Sequence, residues 1–447
     1  MIKRTRRNLA DHCLVYGRDQ PLHKCNQEEY ERRDWSSLPS ELVDDIAVRV
    51  LRYDVTGYIR LRVACKEWRK CTTNPRDLDI RLRRWTMLSN NTKGVRRRFL
   101  NLSTGACVHI DLQELSTHQV EASTEGLLLL RNKASHDVRL LNPLTGTLID
   151  LPPITAELGA MHSVWTGKLI PIPRIIYAGI SDETSPATVV LMMRGVVSFV
   201  AYAKPGDTQW ALLRDRLLDS HIQYTSVSTL QGRVYLATFE GNVLQVRVGP
   251  EPRLVPVVMD QPFKENINGK MISYLVPADE HQRHRGMLLV RHYKCLDHFS
   301  SAERRKMKRG KKMDAIRVES DYMPNRWHLI QVLHVDLAGK RLVPVEDIGR
   351  HRALFVGELA CFSLSTERFP SVAGNAVYFG PDSYCTGEIG VRYLRDRTTD
   401  PPFQFVHDKS ALMRSHGRVW RLGPIARPCT LQEYLVCCAG IKGGIKD

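Results

Sequence analysis

The stretch Arg233 to Arg247, RVYLATFEGNVLQVR, decides the reading of the larger part of this chain. Arg233 to Phe239 is a short run rich in β-forming residues, Glu240-Gly241-Asn242 supplies turn residues, and Val243 to Arg247 is a second such run. Two short strands paired in sequence are the natural consequence. His328 to Asp336 behaves the same way, turning through Ala338-Gly339-Lys340 into Arg341 to Val345. Working outward, further strand candidates are Gly126 to Arg131, Val138 to Leu141, Thr188 to Met193, Val196 to Ala203, Met287 to His292 and Ala376 to Phe379. All are short, all are separated by Gly, Pro, Asn or Asp, and no regular helix intervenes. That texture points to a propeller, a pair of sandwiches or a barrel, and away from a parallel sheet with crossover helices. The stretch from about residue 95 to 400 would hold six or seven propeller blades at roughly 40 to 50 residues each. Neither recurrent Gly-Gly doublets nor a Trp-Asp series marks the repeat.

Composition sets the outer limits. With 447 residues, 43% hydrophobic and 25% charged, the chain has the balance of a globular protein long enough for two or three units. The longest apolar run, Gly195 to Ala203, is about half of the roughly 18 residues a membrane helix needs, so no membrane association is expected. The basic N-terminus lacks the apolar stretch of a secretory signal, which places the protein in nucleus and cytoplasm. Eleven cysteines, an odd number without a C-x-x-C pair, suit reduced thiols better than a disulfide framework. His12, Cys13, His23 and Cys25 have ligand chemistry but no standard zinc spacing, and no metal or other cofactor is assigned. The nucleophile elbow, the phosphate loop, the dinucleotide turn and the H-E-x-x-H helix are all missing, so a non-catalytic protein is expected.

Charge is the remaining global signal. A formal net charge of +17 attracts nucleic acid, acidic proteins or anionic lipid without choosing among them. Its densest cluster is Arg304, Arg305, Lys306, Lys308, Arg309, Lys311 and Lys312, a solvated loop at 303–314 that could serve nuclear import or an anionic partner.

Ahead of the β region the periodicity becomes helical. Residues 1–33 read as a flexible basic leader. From Trp35 on, Pro39 suits a first helical position, and Glu41, Asp44 and Asp45 suit the positive end of the helix dipole. Leu42, Val43, Ile46, Ala47, Val50 and Leu51 form an apolar stripe that should end near Arg52. A second helix from about Thr56 to Cys65 and a third holding Trp68, stopped by Asn74-Pro75, complete a unit too small to hold together firmly alone.

These residues carry a resemblance. Leu38-Pro39-Ser40-Glu41-Leu42-Val43-Asp44-Asp45-Ile46, followed by Arg60-Leu61-Arg62-Val63-Ala64-Cys65-Lys66-Glu67-Trp68-Arg69, resembles the F-box in both halves of its pattern. Gly57 departs from it where an Asp is usual; a helical glycine costs about 1 kcal/mol relative to alanine, so the second helix should start late or be weakened. Gly126 to Leu130, Leu141-Asn142-Pro143-Leu144-Thr145-Gly146 and Leu151-Pro152-Pro153 resemble the start of the β-propeller-like domain of many plant F-box proteins. Val345 to Gly349, Ala353 to Gly357 and Gly374 to Phe379 resemble the closing segments of a plant family whose kelch-like C-terminal domain is one of unknown function, while roughly 155 to 330 resembles no named family.

The resemblance implies an α+β multidomain chain. Its parts would be the leader, a three-helix F-box at 34–80, a linker at 81–94, a β-propeller-like domain at 95–400 and a tail at 401–447 that could close the propeller. It further implies a substrate-recognition subunit of a Skp–cullin–F-box ubiquitin ligase. Leu38 and Pro39 would enter a groove of a Skp-type adaptor, with Leu42, Ile46, Leu51, Ile59, Val63 and Trp68 forming helical core and contact face, and the adaptor would lead to a cullin-RING ligase. The β domain would hold a protein substrate of unknown identity. The competing reading is a basic nuclear factor whose Arg96, Arg97, Arg98 and 304–312 cluster bind nucleic acid directly; steep salt dependence would mark it, and nucleic acid is not the expected partner.

Overall fold

Four consecutive leucines, Leu127 to Leu130, show how the β region is built. On a strand, alternate side chains face opposite ways, and here Leu127 and Leu129 enter one hydrophobic cluster while Leu128 and Leu130 enter the next. A sheet apolar on both faces must be covered on both, and stacking sheets around a ring does so. In this computed structural model the described residues are 34–74, 84–88, 94–155, 158, 173–194, 198–213, 224–259, 269–278, 286–295, 316–318, 326–357, 360–379, 388–396 and 399–404.

Three helices come first: α1 (Ser40–Tyr53), α2 (Val55–Ala64) and α3 (Lys66–Cys71). The first sheet holds β1 (Trp85–Leu88), β2 (Arg96–Asn101) and β3 (Cys107–Asp111). The second holds β4 (His118–Thr124), β5 (Leu127–Asn132), β6 (Val138–Leu141) and β7 (Leu148–Leu151). The third follows with β8 (Arg174–Ser181), β9 (Thr188–Arg194), β10 (Ser198–Ala203) and β11 (Ala211–Leu212). The fourth comprises β12 (Tyr224–Leu230), β13 (Arg233–Thr238), β14 (Val243–Arg247) and β15 (Arg253–Val258). In the fifth are β16 (Gly269–Ala278), β17 (Gly286–Cys295), β18 (Ile316–Val318), β19 (Arg326–Asp336) and β20 (Arg341–Pro344). The sixth contains β21 (Arg352–Val356), β22 (Phe362–Ser365), β23 (Ala376–Phe379), β24 (Glu388–Tyr393) and β25 (Thr399–Gln404).

Six hydrophobic clusters each lie between two successive sheets. Phe99 meets Leu128 between the first and second, Leu129 meets Leu191 between the second and third, and Met192 meets Leu236 between the third and fourth. Tyr235 and Leu289 share the fourth interface, Val290 and Val377 the fifth. Leu88 and Leu100 of the first sheet then pack with Phe355 and Tyr378 of the sixth, which closes the circle. The β region is therefore a six-bladed propeller, fixing the smaller of the two blade numbers that length allowed.

Three asparagines repeat one turn. The side-chain oxygens of Asn101, Asn132 and Asn142 accept N–H groups two and three residues on, with Ser103, Ala134 and Leu144 at 2.8, 2.8 and 3.1 Å. The fifth residue of each turn is left-handed, Gly105, His136 and Gly146 having φ of 75°, 64° and 74°. The repeat invisible as a motif is thus present as a turn.

Several expectations need correction. Strand β1 falls inside the stretch given to the linker and pairs with Arg98 to Asn101, because Trp85 and Leu88 complete the cores of the ring's closing blades. Pro39 is the N-cap of α1 rather than its first helical residue, with an extended ψ of 139°. Helix α2 does not start late: Asp54 accepts the N–H groups of both Thr56 and Gly57 at 3.1 Å and starts it ahead of the glycine. A Cβ on Gly57 would stand 3.0 Å from Val50 Cγ1, so the glycine lets α1 and α2 approach. The two hairpins read from the sequence pair antiparallel as expected, while in the sixth sheet β21 runs parallel to β23 and β22 takes its other side. Residues 155–330, which resembled nothing, include the strands of blades three and four and most of blade five. The leader, the basic loop at 303–314 and most of the tail lie outside the described residues; the tail's first residues complete β25.

Candidate functional site

Two surfaces stand out. On α1 the single stripe expected from the sequence is divided. Val43 and Ala47 are 2% and 1% exposed, whereas Leu42 and Ile46, also one turn apart, remain 52% and 45% exposed. The division has a cause. Ala47, Val55 of α2 and Tyr58 of α2 share a cluster with Trp85, Phe99, Leu112 and Leu115, so the helices turn their inner side to the first two blades. Leu51 and Ile59 pack against the same cluster from its edge. Val63 of α2 is 68% exposed, and Leu38 and Trp68 are half-buried.

The helical unit is tied by its own bonds. Tyr58 Oη donates to the Thr73 carbonyl at 2.7 Å, and Arg62 donates to the Thr72 hydroxyl at 2.7 Å, strapping α2 to the segment after α3. Trp68 Nε1 donates to the Trp35 carbonyl at 3.0 Å. Asp34 caps the single turn Trp35–Ser37 by accepting from Ser36, and the hydroxyl and backbone donors of Ser36 hold its carboxyl below the usual range. Trp35, which projects to solvent beside this contact, is an exposed aromatic the sequence reading did not single out.

The second surface is the axis of the ring, where the inner strands β4, β8, β12 and β16 follow one another. They enclose a cavity of about 680 Å³ that takes residues from all six blades, among them Arg84, Thr124, Tyr177, Thr229, Pro277 and Ser363. Tyr177 of blade three reaches across the axis and donates its hydroxyl to the Gly357 carbonyl of blade six at 2.7 Å. The Cys361 thiol approaches the same carbonyl at 3.6 Å, and burial pushes its pKa up to about 12, so it is a neutral thiol at physiological pH. Hydroxyls dominate the polar part of the wall. Thr229 Oγ1 accepts the Ile180 N–H at 3.3 Å, and Ser363 Oγ accepts Nε–H of Arg352, a fully buried side chain, at 2.6 Å. None of these residues had a sequence signal, because the ring brings together positions as far apart as Tyr177 and Gly357.

The other candidates fall elsewhere. Arg304 to Lys312 lie outside the described residues, as do His12, Cys13, His23 and Cys25. Arg96 and Arg98 are exposed on β2, Arg96 facing Asp111 at 3.9 Å, and the Arg97 guanidinium donates to the Gly94 carbonyl at 2.7 Å. Among the described residues no group of three or more His, Cys, Asp or Glu is placed to hold a metal ion, and no helix is long and apolar enough to cross a membrane.

Among the comparisons with known proteins, the family match bears on the ring. No curated protein matches the chain in sequence. Among solved structures, the Myceliophteria thermophila Cps50 (Swd1) β-propeller domain is 12% identical, with a TM-score of 0.31 over 73% of this chain and 87% of its own. YCF48 bound to D1 peptide is 9% identical, with a TM-score of 0.24 over 59% and 82%. The extracellular domain of the putative one component system BT4673 from B. thetaiotaomicron is 10% identical, with a TM-score of 0.23 over 69% and 54%. No residue role is carried over from them. Residues 99–401 match the family described as the KIB1-4 β-propeller, a span that runs from β2 into β25 and takes in every interface of the ring. On that match, over more than half of its length, the chain belongs to the KIB1-4 β-propeller family.

Proposed function

We propose that this chain is the substrate-recognition subunit of a Skp–cullin–F-box ubiquitin ligase, with the helices docking on a Skp-type adaptor and the propeller presenting a protein substrate. A propeller fits a role in protein interaction, offering loops from six blades on a rigid frame. The observation that carries the finer reading is the outward pair Leu42 and Ile46, with Val63, left uncovered on helices whose other side is already packed. Large apolar side chains gathered on so small a unit are a partner's contact points. The F-box resemblance of Leu38 to Ile46 and Arg60 to Arg69 names that partner. In this reading the chain does no chemistry itself; a RING-bound conjugating enzyme transfers ubiquitin to what the propeller holds, in nucleus and cytoplasm.

The test is co-purification. The full chain and its Leu38→Asp/Pro39→Asp variant are expressed with a Skp-type adaptor, and complex yield is compared with propeller folding measured by urea unfolding. Loss of adaptor with the propeller intact is expected. Wild-type yield of adaptor with the double variant would sink the proposal.

A further inference from the structure

The wall of the central cavity has a polarity set from behind. A serine or threonine hydroxyl has one proton to give and lone pairs to accept with. At Thr229 a backbone N–H of the neighbouring blade, from Ile180, occupies the oxygen at 3.3 Å. At Ser363 the occupying donor is the buried guanidinium of Arg352, at 2.6 Å. Both hydroxyls line the cavity and keep their own protons for whatever enters it. Arg84, half-buried on the same wall with Nη1 3.4 Å from the Ser103 hydroxyl, adds a second cation. Two carboxylates also line the space. Glu367 is turned toward His351 at 3.8 Å, and Glu125 sits on the left-handed turn after β4. The donors therefore come from opposite sides of the ring, blades one, four and six.

We propose that the central cavity of the propeller is a binding site for a small molecule bearing an oxyanion, a carboxylate or phosphate, held by the Thr229 and Ser363 hydroxyls and by Arg84. Its volume of about 680 Å³ lies in the range of small-ligand pockets, and Tyr177 crossing to Gly357 gives it a structured wall. A hydroxyl polarised by Arg352 is a stronger donor to a charged acceptor than to water, and a low-dielectric wall adds to this. The site does not depend on adaptor docking, so either proposal can fail without the other.

Isothermal titration calorimetry on the full chain, with inorganic phosphate and with citrate as probes, tests it. Saturable binding of phosphate assigns the phosphate arm and saturable binding of citrate the carboxylate arm. Loss of one hydrogen bond to a charged group should weaken binding about tenfold in Ser363→Ala and in Thr229→Val. Arg84→Met should weaken it similarly, whereas Arg96→Met, which alters an exposed arginine of β2, should leave it unchanged. If Ser363→Ala fails to fold because Arg352 loses its acceptor, Thr229→Val and Arg84→Met carry the test. Saturation by neither probe, or equal weakening by Arg96→Met, overturns the proposal.

Discussion

Replacing Leu42 and Ile46 together by glutamine separates what α1 does for its own fold from what it offers a partner. Glutamine has nearly the helix propensity of leucine, so the backbone should be untouched. Both side chains point out, and substitutions at such positions usually change stability by no more than about 0.5 kcal/mol. Full burial of a leucine or isoleucine is worth about 1.5–3 kcal/mol. With 52% and 45% of the two residues still open, an adaptor that seals them gains about 1 kcal/mol from each. The pair should therefore weaken binding by about 2 kcal/mol, some thirtyfold. Val43→Gln, one residue along but only 2% exposed, should do the reverse and unfold the helices by burying an unpaired amide. Interferometry against an immobilised adaptor gives the affinities and urea unfolding the stabilities. Binding within threefold of the parent by the folded Leu42→Gln/Ile46→Gln variant would refute the reasoning, and so would a stability loss equal to that of Val43→Gln.

Three further outcomes follow from the propeller. Gly241→Ala must hold a left-handed φ of 85° and place its Cβ 2.5 Å from Nη2 of the buried Arg291, so a loss of about 2 kcal/mol or more should appear in the urea midpoint. Arg131→Met takes the cation 2.8 Å away from the Glu121 carboxylate, whose side chain is almost wholly buried and keeps the Gln119 amide donor at 2.6 Å; about 2–3 kcal/mol should be lost, with Glu121→Gln restoring part of it in the double variant. Cys361, its thiol pKa raised from 9.0 to about 12, has its folded value above the unfolded one. The native state then holds the proton more tightly, and its stability should fall as pH rises from about 9 toward 12 but not below that window. Cys361→Ala should flatten this alkaline slope, while an unchanged slope would show that the thiol is not the group responsible.

What the sequence made legible was local. The hairpin from Arg233 to Arg247 appears as read, β13 ending at Thr238 and β14 spanning Val243 to Arg247, because short β-forming runs and a left-handed glycine between them are properties of neighbouring residues. The apolar stripe of α1 was equally plain, yet its division into Val43 with Ala47 inside and Leu42 with Ile46 outside was not. A stripe records that side chains are apolar and not which element covers them. The shared turn of Asn101, Asn132 and Asn142 was hidden because only the asparagine and the left-handed position are fixed, and a histidine fills the latter once. The cavity had no local signature at all: Arg84, Thr229 and Ser363 line one space only because six sheets close into a ring.

That closure is made by side chains. Among the described residues each sheet is built from strands consecutive in the chain, and no hydrogen-bonded strand crosses from the sixth sheet to the first. Leu88 and Leu100 meet Phe355, stacked at 4.6 Å on Tyr378, across a seam that joins the first sheet to the sixth. Every other junction is spanned by a covalent connection that limits how far its two sheets can part. The seam has none, so it is the clasp of the bracelet: sheets one and six can separate there while five junctions stay shut. Backbone amides flanking Leu100 and Ala353 are then the ones to exchange with solvent through the smallest opening, and a Phe355→Ala change would loosen the circle before it unravelled any single blade.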